Sequence, residues 1–118
     1  MAKVLVVEDD EFLQELLAEC IETCDHSVTK AGTGKDALDS IKNNDFDVIL
    51  LDWQLPDMEG ISILKEYRST EGKAKVVMLT GMRDKADEVR KLGADEFLAK
   101  PFKMHEILNV LEKVTADI

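Results

Sequence analysis

Five short apolar runs alternate with five stretches in which apolar residues return every three or four positions. Val4-Leu5-Val6-Val7 is continuous and rich in β-branched residues, as expected of a strand covered on both faces. Phe12, Leu13, Leu16, Leu17, Cys20 and Ile21 then recur at helical spacing and predict a first helix. Ser27-Val28-Thr29 is a weaker strand. Thr33 through Lys42 reads as a helix with Ala37, Leu38 and Ile41 on one face, started by a capping-box form of Thr33 and Asp36. Val48-Ile49-Leu50-Leu51 is the second strong strand and runs directly into Asp52. A turn at Pro56-Asp57-Met58-Glu59-Gly60 leads into a third helix with Ile63, Leu64 and Tyr67 inward. Val76-Val77-Met78-Leu79 is the next buried strand and ends at Thr80-Gly81. Ala86, Val89 and Leu92 mark a fourth helix stopped by Gly93. Phe97-Leu98-Ala99 is a short fifth strand, followed by Lys100-Pro101 and a last helix carrying Met104, Ile107, Leu108, Leu111 and Val114.

Strict alternation of strand and helix predicts an α/β fold: a parallel sheet with right-handed crossovers and helices on both faces. No linker, repeat or low-complexity stretch interrupts it, so residues 1–118 read as one domain. Composition narrows the picture. The net charge of −10, from 25 acidic against 15 basic residues, creates a field that repels nucleic acid. Most of that excess is solvated surface. No apolar run approaches the roughly 18–20 residues that cross a membrane, and the opening apolar run is too short for a signal peptide. A cytoplasmic protein is the expectation. Cys20 and Cys24 make half a zinc site at most, and are read as buried, reduced thiols on one helix face.

In open parallel sheets ligands sit beyond the carboxyl ends of the strands, so the residues that end each strand carry the chemistry. Here these are Glu8-Asp9-Asp10, Asp52, Thr80 and Lys100. Each alone has an ordinary explanation: Asp10 as a helix cap, Thr80 as a turn residue, Lys100 as a solvated charge. Together they place several carboxylates, a hydroxyl and an ammonium in one shallow cleft. Crowded carboxylates repel, and a hard divalent cation relieves them; Mg²⁺ favours few carboxylates plus water and phosphate oxygens. A carboxylate beside such a cation can attack a phosphoryl donor, with lysine stabilising the transferring oxygens.

The segments Val6-Val7-Glu8-Asp9-Asp10-Glu11, Leu50 through Gly60, Leu79-Thr80-Gly81 and Ala99-Lys100-Pro101-Phe102 resemble, in order, the motifs of the response-regulator receiver family. The resemblance runs from Lys3 to about Val114. It implies a flavodoxin-like (βα)₅ fold with strand order 2-1-3-4-5. It implies Mg²⁺ held by Glu8, Asp9, Asp52 and the main-chain carbonyl of Gln54. Asp52 would accept a phosphoryl group from phosphohistidine on a histidine kinase or histidine phosphotransfer protein, and Thr80 and Lys100 would contact that group. Phe97 matches the switch aromatic, which follows Thr80, and Gln54 and Met82 match positions that tune the lifetime of the acyl phosphate. Such a chain catalyses its own phosphorylation and dephosphorylation, without turning over a separate substrate, and passes the signal to a downstream protein.

Two positions depart from the family pattern. The switch aromatic is Phe97 where tyrosine is common. Thr80 to Gly93 spans 13 positions, about two fewer than the family pattern and worth roughly 3 Å of helix, so a trimmed fourth helix or entry loop is expected. Gly32-Thr33-Gly34-Lys35 suggests a nucleotide loop, but Thr29 and Asp36 stand where the P-loop needs Gly and Ser or Thr, and it reads as a turn and helix cap. His26 and His105 have no activating neighbours in sequence. Two other functions compete. A degenerate receiver would act as a phosphate-independent docking module, yet every acidic and lysine position is retained. A Mg²⁺-dependent aspartyl phosphatase would need a second aspartate where Gln54 stands.

Overall fold

The computed structural model describes residues 1–116. Five parallel strands, β1 (Lys3–Val7), β2 (Ser27–Ala31), β3 (Val48–Asp52), β4 (Lys75–Thr80) and β5 (Glu96–Ala99), form one sheet in the order β2-β1-β3-β4-β5. Helices α1 (Glu11–Thr23), α2 (Gly34–Asn43), α3 (Gly60–Ser69), α4 (Ala86–Lys91) and α5 (Met104–Thr115) connect and follow them. This is the flavodoxin-like arrangement that the resemblance implied.

Alternation along the strands sorts the core into two layers. Leu5, Val7, Ile49, Leu51, Val76 and Met78 face Ala37 of α2, Ile61, Ile63 and Leu64 of α3 and Val89 of α4. Val4, Val6, Val48, Leu50, Val77 and Leu79 face Leu17, Cys20 and Ile21 of α1 and Ile107, Leu111 and Val114 of α5. Every residue of β3 is buried, which is why its sequence is an unbroken apolar run up to Asp52.

The helix ends follow their predicted chemistry. Asp10 caps α1 by accepting from the Leu13 amide at 3.0 Å, and Thr33 caps α2 by accepting from the Asp36 amide at 3.1 Å. Gly93, at φ +110°, makes the left-handed turn that stops α4. With six residues α4 is the shortest of the five helices, and a 3₁₀ turn over Arg83–Lys85 leads into it.

The reading of both cysteines as buried is corrected at Cys24, and three residues of the helical periodicities are exposed. Phe12 is 80% exposed, and Met104 and Leu108 are 44% and 37% exposed. They lie at the margins of the helix–sheet contact, where apolar periodicity continues but the covering surface does not. Cys24 is exposed because it lies beyond the last turn of α1, while Cys20 is buried with its thiol 3.1 Å from the Met104 sulfur. Both cysteines are free.

Candidate functional site

The sheet brings the strand-end residues together as its topology requires. β1 and β3 are neighbours in register, Val7 opposite Leu51, so the segment after β1 lies beside Asp52 at the end of β3. β4 flanks β3 on the other side and β5 flanks β4 with Thr80 opposite Ala99, which delivers Thr80 and Lys100 to the same edge. Glu8, Asp52 and Thr80 are the buried polar residues among those described, at 1%, 6% and 2% exposure.

Polar groups this deep must be satisfied. Lys100 Nζ donates to Glu8 Oε1 at 2.7 Å and to Asp52 Oδ2 at 3.1 Å, so one ammonium bridges two buried carboxylates. Burial pushes the Lys100 pKa down, but its hydrogen bond to Glu8 and the charge and hydrogen bond of Asp52 outweigh that and leave it raised. Glu8 Oε2 also accepts from the Asp10 amide at 3.2 Å. The Thr80 hydroxyl accepts from the Met82 amide at 3.1 Å, and the Lys100 amide donates to the Thr80 carbonyl at 2.7 Å.

Glu8, Asp9 and Asp52 each offer a carboxylate oxygen, all within 4.8 Å of one another. Mg²⁺ takes oxygen ligands at about 2.0–2.1 Å and uses few carboxylates, so a set of three hard oxygens this close suits its chemistry. Asp9 is exposed, yet its carboxyl is pushed above the ordinary carboxylate range, first by partial desolvation and then by its hydrogen bond with Glu8. The neighbouring Glu8 carboxylate adds to that rise, and Lys100 works against it. The residues present fit a divalent cation.

Gln54 is exposed in the loop between β3 and α3, two residues beyond Asp52. That loop is folded back on itself: Leu55 N–H donates to the Met58 carbonyl at 3.1 Å, Gly60 N–H to the Trp53 carbonyl at 2.5 Å, and the Trp53 indole to Glu59 at 3.2 Å. Gly60 permits the return, since a Cβ there would lie 2.0 Å from the Asp52 carbonyl oxygen. Phe97 and Met82 are half-buried against the α2–α3–α4 layer. Phe97 sits on β5 opposite Met78, two positions before Thr80. Among the predicted residues, then, Glu8, Asp9, Asp52 and Lys100 converge directly, and Thr80 lies on the same edge. Gln54, Phe97 and Met82 lie around them.

Asp57 received no role from the sequence beyond a turn. Its two carboxylate oxygens accept from the Gly34 and Lys35 amides at 2.7 and 3.0 Å, joining the loop to the start of α2. A separate cleft of about 890 Å³ lies between the C-terminal ends of α2 and α3, at the entry ends of β3 and β4, away from these groups. Its position there separates it from the strand-end chemistry.

A five-stranded parallel sheet in this order, with carboxylates, a hydroxyl and an ammonium collected at its carboxyl edge, defines a doubly wound α/β protein with an acidic, cation-ready site. The chain belongs to the response-regulator receiver family: the family model described as response regulator receiver domain matches residues 4–112. It is 34% identical over 108 residues to the cell cycle response regulator CtrA of Brucella ovis, covering 90% of this chain and 47% of that protein. The chain thus spans about half the length of the curated relatives it matches. Among solved structures, the Francisella response regulator 1452 receiver domain superposes with a TM-score of 0.92 at 32% identity, covering 98% of each chain. Chemotaxis response regulator CheY4 of Vibrio cholerae gives 0.89 at 31% identity, over 97% of this chain and 98% of that one. The chain is a receiver domain of the two-component response-regulator type, and no helix among the described residues is long and apolar enough to cross a membrane.

Proposed function

We propose that this chain is a phosphorylation switch occupying residues 1–118 as one receiver domain in the cytoplasm, with Asp52 as phosphoacceptor and Mg²⁺ as cofactor. The observation that carries the reading is the convergence of Glu8, Asp9, Asp52 and Lys100 around a space bounded by three carboxylate oxygens within 4.8 Å. Glu8, Asp9, Asp52 and the Gln54 main-chain carbonyl hold the cation, which when bound neutralises charge on the phosphoryl oxygens.

Asp52 is the nucleophile because it ends the central strand β3, with Glu8 and Asp9 beside it and one of its carboxylate oxygens on Lys100. Its carboxylate forms the new O–P bond as the P–N bond to the donor histidine breaks. The departing imidazole nitrogen keeps the electron pair and takes a proton from water. Lys100 then has an oxygen-rich group within reach of its third N–H. Thr80 turns its hydroxyl to donate to that group, Phe97 moves into the space it leaves, and the altered α4–β5–α5 surface is read by a downstream protein. Gln54 and Met82, flanking the entrance, govern water access and so the lifetime of the acyl phosphate. The donor is a histidine kinase or histidine phosphotransfer protein. The acidic surface speaks against direct binding of nucleic acid by these residues.

The test is intact mass after incubation with Mg²⁺ and acetyl phosphate. One phosphoryl adduct is expected on the wild type, and none without Mg²⁺ or on Asp52→Asn. A folded wild type that gains no adduct while the donor remains active would favour a phosphate-independent docking module.

A further inference from the structure

The β3–α3 loop must present the Gln54 carbonyl at a fixed place. Its start is pinned to β4, where the Trp53 amide donates to the Leu79 carbonyl at 2.8 Å, but beyond Trp53 the remaining bonds run within the loop or to α3, apart from those of Asp57. Among the described residues, the two bonds accepted by Asp57 are the only hydrogen bonds from residues 54–59 to an element outside the loop and α3. They end on the first two amides of α2, Gly34 and Lys35. Thr33 takes the third amide, that of Asp36. The glycine-rich Gly32-Thr33-Gly34-Lys35 segment, a turn and helix cap as its sequence reads, is therefore also an anion-receiving helix start, and the anion it receives is the protein's own carboxylate. Helix N-termini favour such a partner through aligned N–H groups and the helix dipole. The fit is steric as well as electrostatic. A Cβ at residue 34 would stand 2.3 Å from Met58 Cγ, so any larger residue there would make the Met58 side chain shift.

We propose that Asp57 is a positioning residue for the metal-binding loop: by fastening it to the α2 N-terminus it sets the affinity of the site for Mg²⁺. This rests on the phosphoacceptor reading above, since it concerns the loop carrying one of the proposed ligands. Asp57 touches neither the cation nor the phosphoryl group. It acts by reducing the positions the loop visits, so that the Gln54 carbonyl is in place before the ion arrives.

The probe is Mg²⁺ alone, titrated against the fluorescence of Trp53, the single tryptophan, with acetyl phosphate labelling as a separate readout. Asp57→Ala is expected to weaken Mg²⁺ binding about tenfold, the lower end of what loss of an outer-shell partner costs. Labelling should return to the wild-type extent at saturating Mg²⁺. Asp57→Asn, which keeps one acceptor oxygen, should fall between. Thr33→Ala is the control, because it removes a cap from the same helix without releasing the loop; it should leave Mg²⁺ affinity within twofold of wild type. Amide exchange should quicken at Gly34 and Lys35 in Asp57→Ala and at Asp36 in Thr33→Ala. Unchanged Mg²⁺ affinity in Asp57→Ala would overturn the tether and leave the phosphoacceptor reading standing. Equal losses in both alanine variants would assign the effect to α2 stability and overturn it too. A wild type that neither responds to Mg²⁺ nor accepts phosphate would remove both.

Discussion

Replacing Lys100 by methionine tests how the acidic site is kept folded, because it keeps most of the stem and deletes the charge. The ammonium is 2.7 Å from one carboxylate and 3.1 Å from another, and the Glu8 and Asp52 side chains are 1% and 8% exposed. At such distances and an effective dielectric near 20, each attraction is about 5–6 kcal/mol before desolvation is subtracted. Removing one partner of a buried pair costs about 3–5 kcal/mol net. The Lys100 side chain is 27% exposed, so water can partly replace it, and the lower end, about 3 kcal/mol, is expected. For a domain of this size that is a fall in Tm of about 12 °C. Because the Lys100 pKa lies above its ordinary 10.5, the contribution is complete at lower pH and disappears only as pH rises through the raised value. Thermal and urea unfolding at neutral pH in chelator therefore report all of it. Mg²⁺ offers the same carboxylates another counter-charge, and at a hundredfold excess over Kd it adds about 2.7 kcal/mol. The deficit of Lys100→Met should shrink when Mg²⁺ is supplied, since the variant no longer has an ammonium competing for the site. A variant as stable as wild type in chelator, or a deficit that Mg²⁺ leaves untouched, would refute the reasoning.

Two further perturbations separate the loop from the charges. Gly60→Ala would ordinarily favour a helix by about 1 kcal/mol, but the new Cβ meets the Asp52 carbonyl oxygen at 2.0 Å. A net loss of about 2–3 kcal/mol in urea unfolding is expected, and a gain in midpoint would show that the loop relaxes freely. The Asp57 carboxyl is held below its ordinary 3.8 by the Gly34 amide and then the Lys35 amide. Its contribution is thus present above that value and lost as pH falls through the depressed one. The gap in urea midpoint between wild type and Asp57→Ala should be constant near neutrality and close in acid; a gap that stays open in strong acid would assign it to something other than the charged cap.

The parts of the fold that were readable from the residues are those governed by local rules. β3 is apolar throughout because both of its faces are covered, and Gly93 stops α4 because the turn there needs positive φ. The strand-end carboxylates, Thr80 and Lys100 were readable for a different reason: parallel topology gathers carboxyl ends, whatever their separation in sequence. What escaped depends on distant surfaces. Phe12 keeps helical spacing with Leu13 and Leu16 but lies past the edge of the sheet, and Met104 and Leu108 lie off the buried stripe of α5. Cys24 follows the spacing of Cys20 one turn after the helix has ceased to be covered. Asp57 looked like a turn former because its partners are 22 and 23 residues earlier. A Pro-Asp pair and a glycine at the start of the preceding helix were the available signal, but nothing local connects the two.

The brevity of α4 has a mechanical consequence. Val89 is its only fully buried residue, whereas α3 buries four residues and α1 four. Its remaining restraint includes Arg90, whose guanidinium lies 3.7 Å from Glu96 on β5, a carboxylate that also pairs with Lys113 of α5 at 2.5 Å. Surface ion pairs of this kind are weak and screened by salt. The sheet and α3 therefore form a stiff chassis on which α4 rides as a lightly sprung part. Work done at the end of β4 is taken up first where resistance is least. Ionic strength reaches α4 through the weak pairs of one shared glutamate.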